Sequence, residues 1–98
     1  MSGLEISGAG VVADVFEISG RGVVVLLEKF DGSARIGDSL AFGAAAFEIV
    51  GVEIPRYNSV EAAEDGKQRS LIGLLLSSCT KTQMDAYRGH EAQIVQAL

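Results

Sequence analysis

Asp14-Val15-Phe16-Glu17-Ile18-Ser19-Gly20-Arg21-Gly22-Val23-Val24-Val25 is the stretch on which the fold turns. Two runs of β-branched and aromatic residues stand on either side of Ser-Gly-Arg-Gly. Such side chains suit a pleated surface and lose χ1 freedom in a helix. Gly20 and Gly22 flank Arg21 at the join, where positive φ, a bulge or a close backbone approach excludes a Cβ. The stretch predicts two strands, near Gly10 to Ile18 and Val23 to Phe30, connected through a glycine turn.

The same texture continues outward. Segments rich in Val, Ile, Leu and Phe recur between Gly, Asp, Asn and Ser, which predicts further strands near Ser39 to Phe42, Phe47 to Ile54, Ser70 to Ser77 and Glu91 to Val95. This is the pattern of an all-β barrel or sandwich. Asp31-Gly32 gives a type I′ hairpin signal, because glycine accepts positive φ and aspartate tolerates it. Gly37 before Asp38 predicts a turn into the third strand. In the fourth, Val50, Val52 and Ile54 share one face and Phe47, Ile49, Gly51 and Glu53 the other, so Glu53 marks the rim or outside. Pro55 ends that strand or puts it at an edge. Tyr57 to Arg69 is polar and is expected to be a solvated loop with a helical turn around Val60 to Asp65. Thr80 and Gln83 fit a capping box opening a short helix over Lys81 to Ala86, and Gly89 lets the chain turn into the last strand.

Ninety-eight residues, 48% of them hydrophobic, suit one domain spanning 1–98. Eight basic residues against thirteen acidic ones give a net charge of −5, which repels phosphate backbones and argues against generic nucleic-acid binding. Cys79 has no cysteine to pair with, and with the single His90 it cannot make a structural zinc site, so a reducing, cytoplasmic compartment is expected. The N-terminus lacks the form of a secretory signal, and the longest apolar run, Val23 to Leu27, is too short to span a bilayer as a helix. No cofactor, metal or membrane association is expected.

The Asp14 to Val25 run resembles the opening strands of domain two of translational GTPases of the elongation factor Tu type, where the pattern is DVF-x-I-x-GRG-x-VV. The similarity continues through Gly32 and Arg35-Ile36-Gly37-Asp38, then Gly51-Val52-Glu53-Ile54-Pro55-Arg56, Ile72-Gly73-Leu74-Leu75-Leu76 and Arg88-Gly89-His90, with a longer loop after Arg56. The resemblance covers about Gly10 to Val95 and implies a small, closed or partly open six-stranded Greek-key-like β-barrel with one short helical turn. In that family the barrel helps hold the 3′ end of aminoacyl-tRNA, cupping the terminal adenosine. By resemblance, the corresponding positions are Ile18, Gly20, Val24, Glu53 and Leu75, with Arg56 beside them, and Gly22, Asp31, Gly32 and Gly37 serve turns. The same side chains also suit plain packing and a surface ion pair between Glu53 and Arg56.

Enzymatic signatures are missing. No G-x-x-x-x-G-K-[ST] loop is present, since Gly66-Lys67-Gln68 lacks both the first glycine and the hydroxyl, and Gly20-Arg21-Gly22 lacks the third glycine and helix of a dinucleotide fingerprint. GTP binding and catalysis are therefore not expected. A nucleophile and base drawn from His90 with Ser77, Ser78 or Cys79 would have only Glu91 nearby in sequence as an orienting acid. The expectation is a non-catalytic binding module for a protein or tRNA-like partner, or for itself. The alternative is an immunity or regulatory protein that imitates the elongation factor Tu barrel.

Overall fold

The computed structural model describes residues 5–53 and 71–97. The strands are β1 (Ile6–Ile18), β2 (Gly22–Gly32), β3 (Ser39–Phe42), β4 (Ala45–Glu53), β5 (Ile72–Leu76) and β6 (Glu91–Val95), with helix α1 (Lys81–Asp85) between the last two. All neighbours pair antiparallel, and the order β1-β2-β5-β4-β3-β6 closes on itself as a six-stranded barrel. β3, β4 and β5 adjoin in chain order and β6 returns beside β3, which is the Greek-key arrangement. Ile54, Pro55, Arg56, the Tyr57 to Arg69 loop with its expected turn at Val60 to Asp65, and Ser70 at the expected start of the fifth strand lie outside the described residues.

The interior is a stack of directly opposed aliphatic side chains. Val15 pairs with Val25, Val25 with Leu74 and Leu74 with Val52; one step along, Val23 pairs with Leu76 and Leu76 with Ile49. Leu27, Leu40, Ile94 and Met84 of α1 complete a core from which water is excluded. Each fully buried aliphatic side chain of this kind contributes about 1.5–3 kcal/mol.

Three of the four register shifts decide which residues of β1, β2 and β4 face outward. Between Val12↔Leu27 and Asp14↔Leu26 the extra residue falls on β1, so Val12 and Val15, three apart, both point inside. Between Ala9↔Asp31 and Val11↔Glu28 it falls on β2, where Lys29 takes φ 53°. Between Ile49↔Leu76 and Gly51↔Leu75 it is Val50 on β4. This last bulge corrects the strict alternation expected for the fourth strand. Ile49 and Val52 both oppose buried residues of β5, whereas Gly51 and Glu53 are turned outward.

The Asp31-Gly32 hairpin is also corrected. Both residues belong to β2, opposite Ala9 and Gly8, because the chain crosses from β2 to β3 without pairing them. The tight two-residue connection is instead Gly43-Ala44, between the paired Phe42 and Ala45, with Gly43 at φ 64°. The turn before β3 forms as expected: Gly37 donates its N–H to the Ile49 carbonyl at 2.9 Å, and the buried Asp38 carboxylate accepts N–H groups of Arg35 and Ala97, each at 3.1 Å. The capping box on α1 is present, with the Gln83 N–H donating to Thr80 Oγ1 at 3.1 Å and the Thr80 N–H to Gln83 Oε1 at 2.9 Å.

Candidate functional site

The β1–β2 connection is Ser19-Gly20-Arg21, closed by the Arg21 N–H donating to the Ile18 carbonyl at 3.0 Å. Gly20, at φ 77°, occupies the turn position that in type II geometry calls for glycine, and Gly22, at φ 136°, brings β2 against the end of β5. A Cβ on Gly22 would overlap the Leu76 carbonyl oxygen, and one on Gly20 would meet nothing within 4 Å. One glycine shapes the turn; the other also allows a backbone contact.

Below this turn the outer wall sinks into an open depression of about 210 Å³ lined by Ile18, Arg21, Val24, Gly51, Val52, Glu53, Gly73 and Leu75. The strand register explains its shape. Val24 pairs with Leu75, which pairs with Gly51; Leu26 pairs with Gly73, which pairs with Glu53. Two glycines thus alternate with aliphatic side chains across β5 and β4 and supply the depth. Leu75 Cδ2 lies 3.3 Å from where a Gly51 Cβ would be, and Val24 Cγ1 lies 3.5 Å from that of Gly73.

Four of the six expected pocket residues, Ile18, Val24, Glu53 and Leu75, come together here from four strands. Gly20 sits in the turn and does not line the depression, and Arg56 lies outside the described residues. Arg21, expected only as the residue between two glycines, supplies the guanidinium of the site. The signal for it was available: a long cation at a hairpin tip, with a glycine on either side, is free to lie along the wall. Gly51 and Gly73 were also missed as lining residues, since they act by lacking a side chain, and Val52, which opposes the buried Leu74, was missed with them. Phe16, which pairs with Val24 but does not line the depression, is 48% exposed, and Ile18 at its edge is 38% exposed.

Arg21 of the hairpin and Glu53 of β4 therefore share one depression with an aliphatic wall. This arrangement can hold an apolar group and orient it by one acceptor and one set of donors. A second hollow of about 470 Å³, lined by Phe30, Asp31, Gly32, Ser33, Ala34, Val52 and Ile72, contains none of the expected pocket residues.

Ser77, Ser78, Cys79 and His90 do not line the depression. Ser77 and Ser78 are exposed, Cys79 is half-buried against the core, and burial pushes its thiol up from the usual range. The His90 ring meets the Tyr87 ring edge-on at 6.1 Å, and Tyr87 stacks on Phe42 at 4.0 Å. Among the described residues no hydrogen bond joins His90 to Ser77, Ser78 or Cys79, and no cluster of His, Cys, Asp and Glu is placed to hold a metal ion. Glu17, Glu28 and Glu48 are exposed on separate strands. No described helix is long and apolar enough to cross a membrane.

Comparison of the chain with models of known protein families, with curated proteins and with solved structures gave no match.

Proposed function

We propose that this protein is a non-catalytic binding module, a barrel akin to domain two of translational GTPases, that recognises a protein or tRNA-like partner at the depression on its outer wall. One observation carries the proposal: Ile18, Val24, Glu53 and Leu75, singled out by the resemblance, line a single open site although they come from four strands. The aliphatic wall takes up an apolar group of the partner, and Arg21 and Glu53 fix its orientation. The test is affinity capture with the wild-type chain and with Leu75→Asp and Glu53→Lys, each checked for folding by circular dichroism. A partner held by the wild type and lost with both variants supports the proposal. Binding indifferent to both substitutions contradicts it.

A second reading uses the same surface for imitation of the elongation factor Tu barrel by a regulatory or immunity protein. The exposed Phe16 ring favours it, because apolar surface extending beyond the depression suits a protein face. Competition distinguishes the two: a captured partner that also binds elongation factor Tu, and is displaced from it by this chain, supports imitation.

A further inference from the structure

Resting on the reading of the depression as a binding site, we propose that its occupant is an aromatic side chain of a protein partner, carried between an acidic group that meets Arg21 and a basic group that meets Glu53. Size is the first reason. Small-molecule sites are commonly clefts of about 300–1,000 Å³ that enclose most of their ligand. This depression, at about 210 Å³ and open on the barrel wall, is smaller and encloses less. It fits one anchoring side chain presented from a larger surface. The exposed Phe16 beside the depression then has a role, because a protein face covers it whereas a small ligand in the depression leaves it wet.

Charge is the second reason. The strand order β1-β2-β5-β4 puts Arg21, in the β1–β2 turn, and Glu53, at the end of β4, on opposite sides of the strip formed by Val24, Leu75 and the two glycines. An anchor with one acid and one base complements both; a phosphodiester chain complements Arg21 alone. Composition gives the third reason. Single-stranded nucleic acids are held by stacking bases on aromatic or guanidinium planes within a basic groove. Among the described residues the depression is lined by no aromatic side chain, and the chain carries a net charge of −5. An aromatic ring brought by the partner supplies what the aliphatic wall lacks, a large flat apolar group with little conformational entropy to lose.

The experiment is a methyl-resolved NMR titration of the full chain to millimolar ligand, following Ile18, Val24 and Leu75. The probes are the blocked pentapeptide Asp-Gly-Phe-Gly-Lys, the same peptide with Ala for Phe, and a CCA-ended RNA. The proposal predicts saturable shifts with the Phe peptide and binding at least about fivefold weaker with the Ala peptide, the scale of an anchor residue. Arg21→Gln and Glu53→Gln each weaken the Phe peptide. Gly73→Ala does so without unfolding the barrel, since its Cβ would meet Val24 Cγ1 and the Glu53 carbonyl at an ordinary 3.5 Å while raising the floor. Equal binding of the two peptides, or shifts with RNA and none with peptide, overturns the inference and leaves a binding module. No shifts with any probe overturns both.

Discussion

Gly22→Ala and Gly20→Ala place the same methyl group two residues apart in the β1–β2 connection, and the structure separates their costs. Both glycines have positive φ, 77° at Gly20 and 136° at Gly22, so each substitution brings backbone strain of about 1–2 kcal/mol. At Gly20 that is the whole effect, because a Cβ would find no atom within 4 Å. At Gly22 the new Cβ would overlap the Leu76 carbonyl oxygen and lie 3.2 Å from the Leu76 carbonyl carbon. Backbone on both sides leaves no flexible side chain to move aside. Relief requires β2 and β5 to separate where Val23 pairs with Leu76, two residues buried in the core. Loss of that packing raises the total to about 3–5 kcal/mol, the range of disrupted core positions. Urea denaturation followed by circular dichroism reads the difference. With m about 1 kcal/mol/M for a small domain, the midpoint falls by about 1–2 M for Gly20→Ala and by about 3 M or more for Gly22→Ala. Equal shifts for the two variants would refute the close contact between the hairpin and β5.

Three further outcomes are expected. Asp38→Ala removes the acceptor of the Arg35 and Ala97 N–H groups and destabilises by about 1–3 kcal/mol in the same urea assay, the scale of two hydrogen bonds to a carboxylate whose partly exposed donors can turn to water; a change within experimental error contradicts the role assigned to the carboxylate. The Asp85 carboxyl titrates below the ordinary aspartate value, held down first by the hydrogen bond from Lys81 and then by that from Arg88. Its contribution to stability is thus present above the unfolded-state pKa and lost as pH falls through the folded one. Carboxyl-carbon NMR should show the Asp85 midpoint rising in Lys81→Ala and, by less, in Arg88→Ala. Cys79, whose thiol is pushed up by burial, should react with iodoacetamide at pH 8 more slowly than free cysteine and recover the free rate in urea; equal rates in both states contradict its packing against the core.

Strand existence was legible because β-branched runs and glycine punctuation act locally, and all six expected strands have counterparts. Their ends were less so. β1 begins at Ile6, not near Gly10, an extension hidden in the sequence because Ser7-Gly8-Ala9-Gly10 lacks β-forming side chains; the need for glycine at Gly8 is explained by Phe30, whose Cζ would lie 2.9 Å from a Gly8 Cβ. β4 starts at Ala45, and its two-residue hairpin escaped notice because Gly43-Ala44 has no polar neighbour to mark a turn. The Val50 bulge has no sequence mark at all, for an extra residue among Ile49, Val50 and Val52 looks like continuous strand. It matters most for the site, since it turns Gly51 and Glu53 outward together while Ile49 stays in the core. The resemblance named Ile18, Val24, Glu53 and Leu75, and the fold brings these four to one depression. Gly73 follows only from cross-strand register, which cannot be read from one strand taken alone.

Register is also where the account of the site is most exposed. A carbon-edited NOESY spectrum of the methyl-assigned protein reads it directly through the two glycines of the depression. Cross-peaks are predicted from the Leu75 methyls to the Gly51 Hα protons and from the Val24 methyls to those of Gly73, as the pairings Leu75↔Gly51 and Val24↔Leu75 require. Leu75 methyl contacts to core residues such as Ile49 or Leu74, with none to Gly51, would mean that β4 or β5 is shifted by one residue. The outer-wall depression would then not exist, and with it the proposed binding site would fall.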